Sequence, residues 1–574
     1  MQPDMAMRGA LHLTECDERT PKWKSRRAKV TTVTRAALCI GIAVGIAAAA
    51  PRMVEAQQPR DTSVTLVLDV GSAEENQLRH LQTLGEVPLS QWAVRGFGPR
   101  EIAALVARDS GGEAPIAPLT PVRRWGALEW QRSPVVANMW YNSGFAFGNN
   151  DGAVWRGRGA TVALSAGITG RWGPLTVQLQ PMVFQAENRT FALMPHTDTV
   201  ASAFADPMRP ANIDRPQRFG DGAYGHLDPG QSTVRLDVAG VTAGFSTANM
   251  WWGPMSEWPF MLSNNAAGIP HVFFGSAAPI DVWIGKVHGR ILYGRLEQSD
   301  WATPRAGVPG SQFVSGVVAS FRPRGITGLE IGAARLFEIS WPEGGPGRKE
   351  LLKPLESFLK KYLEGDPDRI ENSSSDNQLA SAFLRWVLPE SGFEIYAEIG
   401  REDHSWDSRD FLLEPEHQTT GGLGMRKAWR RSDGGMSGVT VELFDMDPPL
   451  LNRHRAQDGK YSHHIGATQG HTNRGQVLGA GFAAVNGSGA RFAWEKYDAE
   501  GETLALSLSR MVVRQRARTA GPVNGVDVQY VLGADRTTRV GALDVKYGLS
   551  GVYELNRYLT DDATNLQAGV ELRW

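Results

Sequence analysis

The last ten residues constrain the architecture of this chain more than any other feature. Leu566, Ala568, Val570, Leu572 and Trp574 alternate with Asn565, Gln567, Gly569, Glu571 and Arg573. A strand built from them has one apolar and one polar face. The same period of two recurs in Leu175/Val177/Leu179 against Thr176/Gln178/Gln180 and in Val234/Leu236/Val238 against Arg235/Asp237. It returns in Phe393/Ile395/Ala397/Ile399 against Glu394/Tyr396/Glu398, in Val439/Val441/Leu443 against Thr440/Glu442, and in Leu543/Val545/Tyr547 against Asp544/Lys546. Strands of a soluble sandwich alternate in the same way, so periodicity alone does not choose between the two.

The other end of the chain supplies the second argument. Lys22, Lys24, Arg26, Arg27, Lys29 and Arg35 precede the uncharged apolar run Ala36–Ala50. That run is shorter than the ~20 residues a helix needs to cross a bilayer. Pro51 ends it and Val54-Glu55-Ala56 offers small residues to a signal peptidase. Residues 1–56 therefore read as a cleavable export signal. No second apolar run of spanning length follows, so an exported chain of this kind enters a membrane only as a closed barrel. Charges on the polar phase and an aromatic at the last outward position fit an outer-membrane barrel, apolar outside and polar inside.

The expected fold is all-β: a large transmembrane antiparallel β-barrel with a small N-terminal periplasmic helical element. In residues 57–130, Ser72-Ala-Glu-Glu75 predicts a helix start, with a stop at Gly85. Pro99 opens a second short helix, and Gly111–Pro121 is a linker. Residues 131–574 form the barrel; at roughly 24 residues per strand and connection they give about 18 strands. One excursion interrupts them at 342–375, where Leu351, Leu352, Leu355, Phe358, Leu359 and Tyr362 have helical spacing. That pattern predicts a helix over 348–363 in a loop that folds over or into the lumen, or decorates its outer end.

Composition narrows the function. The 60 Lys+Arg and 61 Asp+Glu leave no basic surplus, so a nucleic-acid partner is not expected. The only two cysteines, Cys16 and Cys39, leave with the export signal, which excludes a disulfide framework and thiol chemistry.

Three segments carry a family likeness. Phe245–His271 reads FSTANMWWGPMSEWPFMLSNNAAGIPH, Phe393–Asp403 reads FEIYAEIGRED, and Tyr461–Gly479 reads YSHHIGATQGHTNRGQVLG. In this order on an exported barrel-like chain, they resemble the outer-membrane Wzi family of capsule-assembly proteins. The resemblance covers about 134–574. It implies an 18-stranded barrel acting as a lectin that holds capsular polysaccharide at the cell surface. The helical insertion near 348–363 departs from the family pattern.

Read physically, Trp251 and Trp252 beside Gly253-Pro254 are candidates to stack on sugar C–H faces, and Asn264 and Asn265 to bond hydroxyls. Both motifs are equally at home as barrel girdle and turn chemistry. Arg474, near His463, His464 and His471, is a candidate for an acidic sugar, or for pairing with a lumen carboxylate. No carboxylate spacing beside these histidines supports a metal, and no cofactor is expected.

Catalysis has two weak candidates. Arg401–Asp407 holds His404 between acidic neighbours, without a G-x-S-x-G nucleophile motif. Glu394, Glu398 and Glu442 are inward carboxylates of the kind a glycosidase pairs, and equally ordinary lumen lining. The expected function is therefore non-enzymatic binding of capsular or other surface polysaccharide, helping to attach or assemble a capsule. A porin-like passive channel is the alternative, and a barrel hydrolase the weaker one. Expected partners besides the glycan are outer-membrane lipid and the barrel-assembly machinery, which would engage the strand ending at Trp574.

Overall fold

The computed structural model describes residues 65–106, 121–304, 310–356, 376–402, 408–447, 469–480, 487–499, 501–515 and 525–574; the predicted export signal lies outside them. Among the described residues no helix is long and apolar enough to cross a membrane. The sheet instead closes on itself. Its strands, in chain order, are β1 Leu128–Asn142, β2 Gly159–Trp172, β3 Leu175–Leu179 with Met182–Ala186, β4 Tyr224–Asp228 with Thr233–Val238, β5 Val241–Ser246 and β6 His271–Ser276 with Ile280–Val282. Next come β7 Gly285–Glu297, β8 Ser311–Pro323, β9 Leu329–Ser340, β10 Asp376–Leu388, β11 Phe393–Glu402 and β12 Thr419–Arg430. The last are β13 Met436–Asp445, β14 Ser488–Tyr497, β15 Thr503–Gln515, β16 Val526–Val540, β17 Leu543–Arg557 and β18 Asp561–Arg573. Counting each interrupted strand once, the barrel has 18 antiparallel strands. It closes where β18 pairs with β1, Val570 opposite Met139 and Leu572 opposite Ala137. The interruptions in β3 and β4 hold Pro181 and Pro229, which lack the N–H a ladder needs.

The two faces are the reverse of a soluble protein's. Val234, Leu236 and Val238 are 45%, 47% and 51% exposed, whereas Arg235 and Asp237 between them are buried. In the last strand Leu566 and Val570 are exposed outward, and Asn565 and Gln567 are buried inward. This is the face pattern of a barrel in lipid. Connections at the end bearing the barrel's N- and C-termini are mostly turns, such as 173–174 and 541–542. There Trp125, Trp172, Trp283 and Trp574 form an exposed aromatic rim. Nearly all the connections at the opposite end are long loops, the arrangement that puts the turn end in the periplasm.

On β9, β11 and β14 the inward charges face protein rather than water, whereas Lys546 and Asp535 on β17 and β16 keep 47% and 45% exposure. The N-terminal helical element, α1 (Ala73–Thr83) and α2 (Pro99–Val106), occupies the turn end of the lumen. The predicted cap is present: Ser72 Oγ accepts the Glu75 N–H at 3.2 Å. From α1, Arg79 pairs with Glu394 of β11 at 2.5 Å and His80 bonds Glu495 of β14 at 2.6 Å. Glu330 of β9 accepts the N–H groups of Trp92 and Ala93 at 2.8 and 3.1 Å.

From the loop end, residues 247–270 between β5 and β6 fold inward and meet that element. Trp251 and Trp252 pair, as a two-residue ladder, with Arg95 and Val94. Met255, Trp258, Phe260 and Met261 join the main buried cluster with Leu292, Val314, Leu336, Leu379 and Tyr396 of the wall. Inward glycines make room for them. A Cβ on Gly316 would meet the Trp252 ring at 2.9 Å, and one on Gly400 the Phe260 ring at 2.5 Å. Beside β7–β13 the lumen is thus a packed interior.

Two other loops fold down over the outside of the barrel. The predicted helix begins at Arg348 and is described through the helical turn ending at Leu355; residues 357–375 lie outside the described segments. Its segment lies against the outer wall rather than in the lumen. Tyr293 Oη donates to Leu351 O at 2.8 Å, Lys353 pairs with Asp376 at 2.6 Å, and outward-facing Phe313 and Phe337 are buried beneath it.

Candidate functional site

At the loop end four connections converge over β1–β4 and β7. Asn188, left-handed at φ 52°, organises them. Its amide donates to the carbonyls of Phe219, Gly220 and Gly222 at 2.9–3.1 Å, which curls 219–222 into a tight turn. Buried Arg218 donates to Asn188 O and Asp221 O at 3.1 and 2.9 Å. The turn presents Phe219, whose ring lies 4.7 Å from Trp155, 4.6 Å from Tyr224 and 5.2 Å from Trp301. Trp155, Tyr224 and Trp301 are half-buried, so part of each ring remains open to solvent. Nearby, Arg156 lies 4.2 Å over the Trp140 ring and pairs with Asp151.

Arg474 borders these aromatics. Gly475, beside it, sits so close to Phe219 that a Cβ there would lie 3.1 Å from the ring. The guanidinium donates to Asp228 at 2.8 Å, to Glu297 at 3.1 Å and to His226 Nε2 at 3.2 Å, and it retains 24% exposure. A patch of half-open rings beside a partly exposed ionic cluster can stack on sugar C–H faces while accepting and donating hydroxyl bonds. The loop end is fastened from inside. Asp214 accepts the Ser299 N–H and O–H, both at 2.6 Å; burial pushes its carboxyl up to about 6 in spite of those bonds.

The sequence-predicted residues divide. Arg474 lies in this patch. Trp251 and Trp252 are 2% and 1% exposed, so neither offers a ring face to a sugar. Their indoles fill the lumen, where Arg95 lies 4.3 Å over Trp251. Asn265 accepts the Asn150 N–H at 3.1 Å and donates to Val477 O at 2.9 Å; Asn264 donates to Val70 O at 3.4 Å. Both amides tie loop to loop or loop to N-terminal strap. His463, His464, His404 and Asp407 lie outside the described residues. His471 is buried, bonded to Glu338 and Met261 O, each at 2.6 Å.

The inward carboxylates are engaged by the interior. Glu442 accepts the N–H groups of Ser256, Glu257 and Trp258 at 2.7, 3.0 and 2.8 Å. Glu394 is held by Arg79 and Arg385, and Glu398 accepts the Phe260 N–H at 3.2 Å. Sequence reasoning missed Trp155, Tyr224 and Trp301. Their available signal was position, since Trp155 and Trp301 lie outside every segment in which the sequence alternates by two.

A family model described as capsule assembly protein Wzi matches residues 140–526. No curated protein sequence matches the chain. Among solved structures it resembles Wzi of Escherichia coli, described as an outer membrane protein involved in group 1 capsule assembly and a carbohydrate-binding β-barrel. That match has 15% identity and a TM-score of 0.57, covering 88% of this chain and 98% of the other. A BenF-like porin from Pseudomonas fluorescens matches at 9% identity and a TM-score of 0.38, covering 78% and 98%.

Proposed function

Because the chain belongs to the Wzi family of capsule assembly proteins, we propose that its loop end binds capsular or other surface polysaccharide at the outer membrane and helps attach or assemble a capsule there. The observation that carries this reading is the half-open cluster of Trp155, Tyr224 and Trp301 beside the Arg474–Asp228–Glu297 ion network. Sugar rings stack on such faces, and the partly exposed guanidinium suits an acidic residue of the glycan. The reading is non-enzymatic: the glycan is held, with no bond made or broken. A packed interior favours holding over passive conduction.

The rest of the reading concerns export and surroundings. Residues 1–56 serve as the cleavable export signal, 57–130 as the periplasmic-side element and linker, and 131–574 as the barrel. The strand ending at Trp574 is what the barrel-assembly machinery engages, and the outward apolar belt meets outer-membrane lipid.

The test uses purified, refolded protein and surface polysaccharide extracted from the source organism. Saturable binding is expected, weakened about tenfold by Trp155→Ala/Trp301→Ala, since an aromatic stack contributes about 0.5–1.5 kcal/mol. Absence of binding by folded protein overturns the proposal.

A further inference from the structure

Two loops that are separate in sequence place clusters of large apolar residues outside the same quarter of the barrel. In the first, Leu351, Leu352 and Leu355 are 37%, 50% and 67% exposed. They belong to the segment that covers Phe313 and Phe337 on the outer wall of β8 and β9. In the second, the helix Ser408–Leu413 leaves Phe411, Leu412 and Leu413 exposed, the latter two at 76% and 60%. It is tied to the wall through Arg401 on the outward face of β11, which lies 5.3 Å over the Phe411 ring and donates to Pro415 O at 3.2 Å. Outward residues of β10 record the coverage. Asp376 and Gln378 at its loop end are buried, whereas Trp386 and Leu388 at its turn end are open.

From this juxtaposition we propose that the two flaps form an apolar shelf seated in the outer leaflet of the membrane, with the lipid as its occupant. Three observations select lipid. First, the shelf is continuous with the barrel's lipid-facing wall, because both flaps rest on that wall rather than over the mouth. Second, cations flank the leucines: Arg348 and Lys349 precede Leu351, and Arg409 precedes Phe411, all exposed. Leucines toward acyl chains with basic side chains toward anionic headgroups is the composition of an interfacial helix. Third, Lys353 of the first flap pairs with Asp376 of β10 at 2.6 Å and Arg335 of β9 donates to the flap carbonyl Glu356 O, so the leucines cannot turn inward without breaking an ion pair. The shelf widens the membrane footprint on one side of the barrel and fixes how far the loop end stands above the leaflet.

The test exploits the absence of cysteine from the chain after residue 39. Leu352→Cys and Leu412→Cys, each made in the chain as exported, are labelled with an environment-sensitive fluorophore and the protein is reconstituted in vesicles containing phosphatidylglycerol. Val200→Cys, 69% exposed in a loop at the same end, serves as the water-facing reference. Lipids carrying a spin label just below the headgroup are expected to quench both shelf positions about threefold more than position 200. Arg348→Glu/Lys349→Glu is expected to lower that quenching in phosphatidylglycerol but not in phosphatidylcholine vesicles. Quenching at all three sites by a water-soluble quencher alone overturns the proposal. So does protection that rises with protein density while lipid-borne labels have no effect, which would identify a second copy of the chain as the occupant. Heat-modifiable gel mobility shows that each variant is folded.

Discussion

The carboxylate of Glu442, midway along an inward face of the barrel, accepts the backbone N–H of Trp258 at 2.8 Å, and with it the two N–H groups that precede Trp258 in the chain. Three successive amides converging on one carboxylate form an anion nest, here used to fasten a loop inside a barrel. Glu330 repeats the device with the successive amides of Trp92 and Ala93, and Glu398 holds the single Phe260 N–H. The lumen's polar lining is therefore the socket for its own contents.

Replacing Glu442 by Ala should loosen the plug without opening the sheet, because no ladder bond passes through its side chain. Three N–H groups, that of Trp258 buried and the other two partly buried, and the Tyr396 hydroxyl lose their acceptor, and hydrogen bonds to a charged group contribute about 1.5–3 kcal/mol each before relaxation. A loss of about 3 kcal/mol in local stability is expected, read as faster hydrogen exchange at Ser256–Trp258. Unchanged exchange there would contradict the latch.

The packing of Phe260 against Gly400 calls for a size-exchange test. A Cβ on Gly400 would lie 2.5 Å from the Phe260 ring, so Gly400→Val overpacks a filled site, at a cost of about 1–3 kcal/mol. Phe260→Ala alone leaves a cavity costing about 3–5 kcal/mol. Together they should cost less than the sum, measured as urea midpoints of refolded protein. Strict additivity would mean the two do not share space.

Asp214 makes the loop end pH-sensitive. Burial, aided by Asp300, raises its carboxyl from 3.8 to about 6 against the bonds from Ser299. A raised folded value means that protonation favours the folded loop. The stabilisation is complete below about 3.8 and lost as pH rises through about 6, a swing of about 2–3 kcal/mol. Exchange protection at Ser299, corrected for intrinsic rates, should be higher at acidic than at alkaline pH. Asp214→Asn should flatten the profile.

Much of this architecture was legible before any coordinates. Leu566, Val570 and Val234 declare an outward face, and Arg235 and Asn565 an inward one, because period two carries over from sequence to sheet without loss. The same rule could not say what lay inside. Whether Glu398 faces water or the Phe260 amide depends on a loop more than 130 residues away. Trp251 and Trp252 misled for a related reason: an indole is as suited to filling a lumen as to stacking on a sugar. Arg474 was found by its charge, whereas Trp155 and Trp301 become a patch only when four loops converge.

The packed interior makes a definite electrical prediction. An empty 18-stranded barrel would enclose a water-filled channel, but here α1, α2 and residues 247–270 meet at mid-lumen, where Arg79 donates to Pro254 O at 2.7 Å. The intact protein in a planar bilayer should therefore lack steady porin-like conductance. Deleting residues 65–106 removes the Trp92 and Ala93 partners of Glu330, the His80 partner of Glu495 and the Arg79 partner of Glu394, and empties the turn end, yet leaves Glu442 holding Ser256–Trp258. Deletion alone should give small, fluctuating currents. The deletion combined with Glu442→Ala should give frequent openings to a larger, porin-like level, since residues 247–270 then also lose their three-amide latch and keep the bonds to Glu398, His471 and Val477. A steady large conductance from the intact chain would overturn this account and return the protein to the class of passive channels.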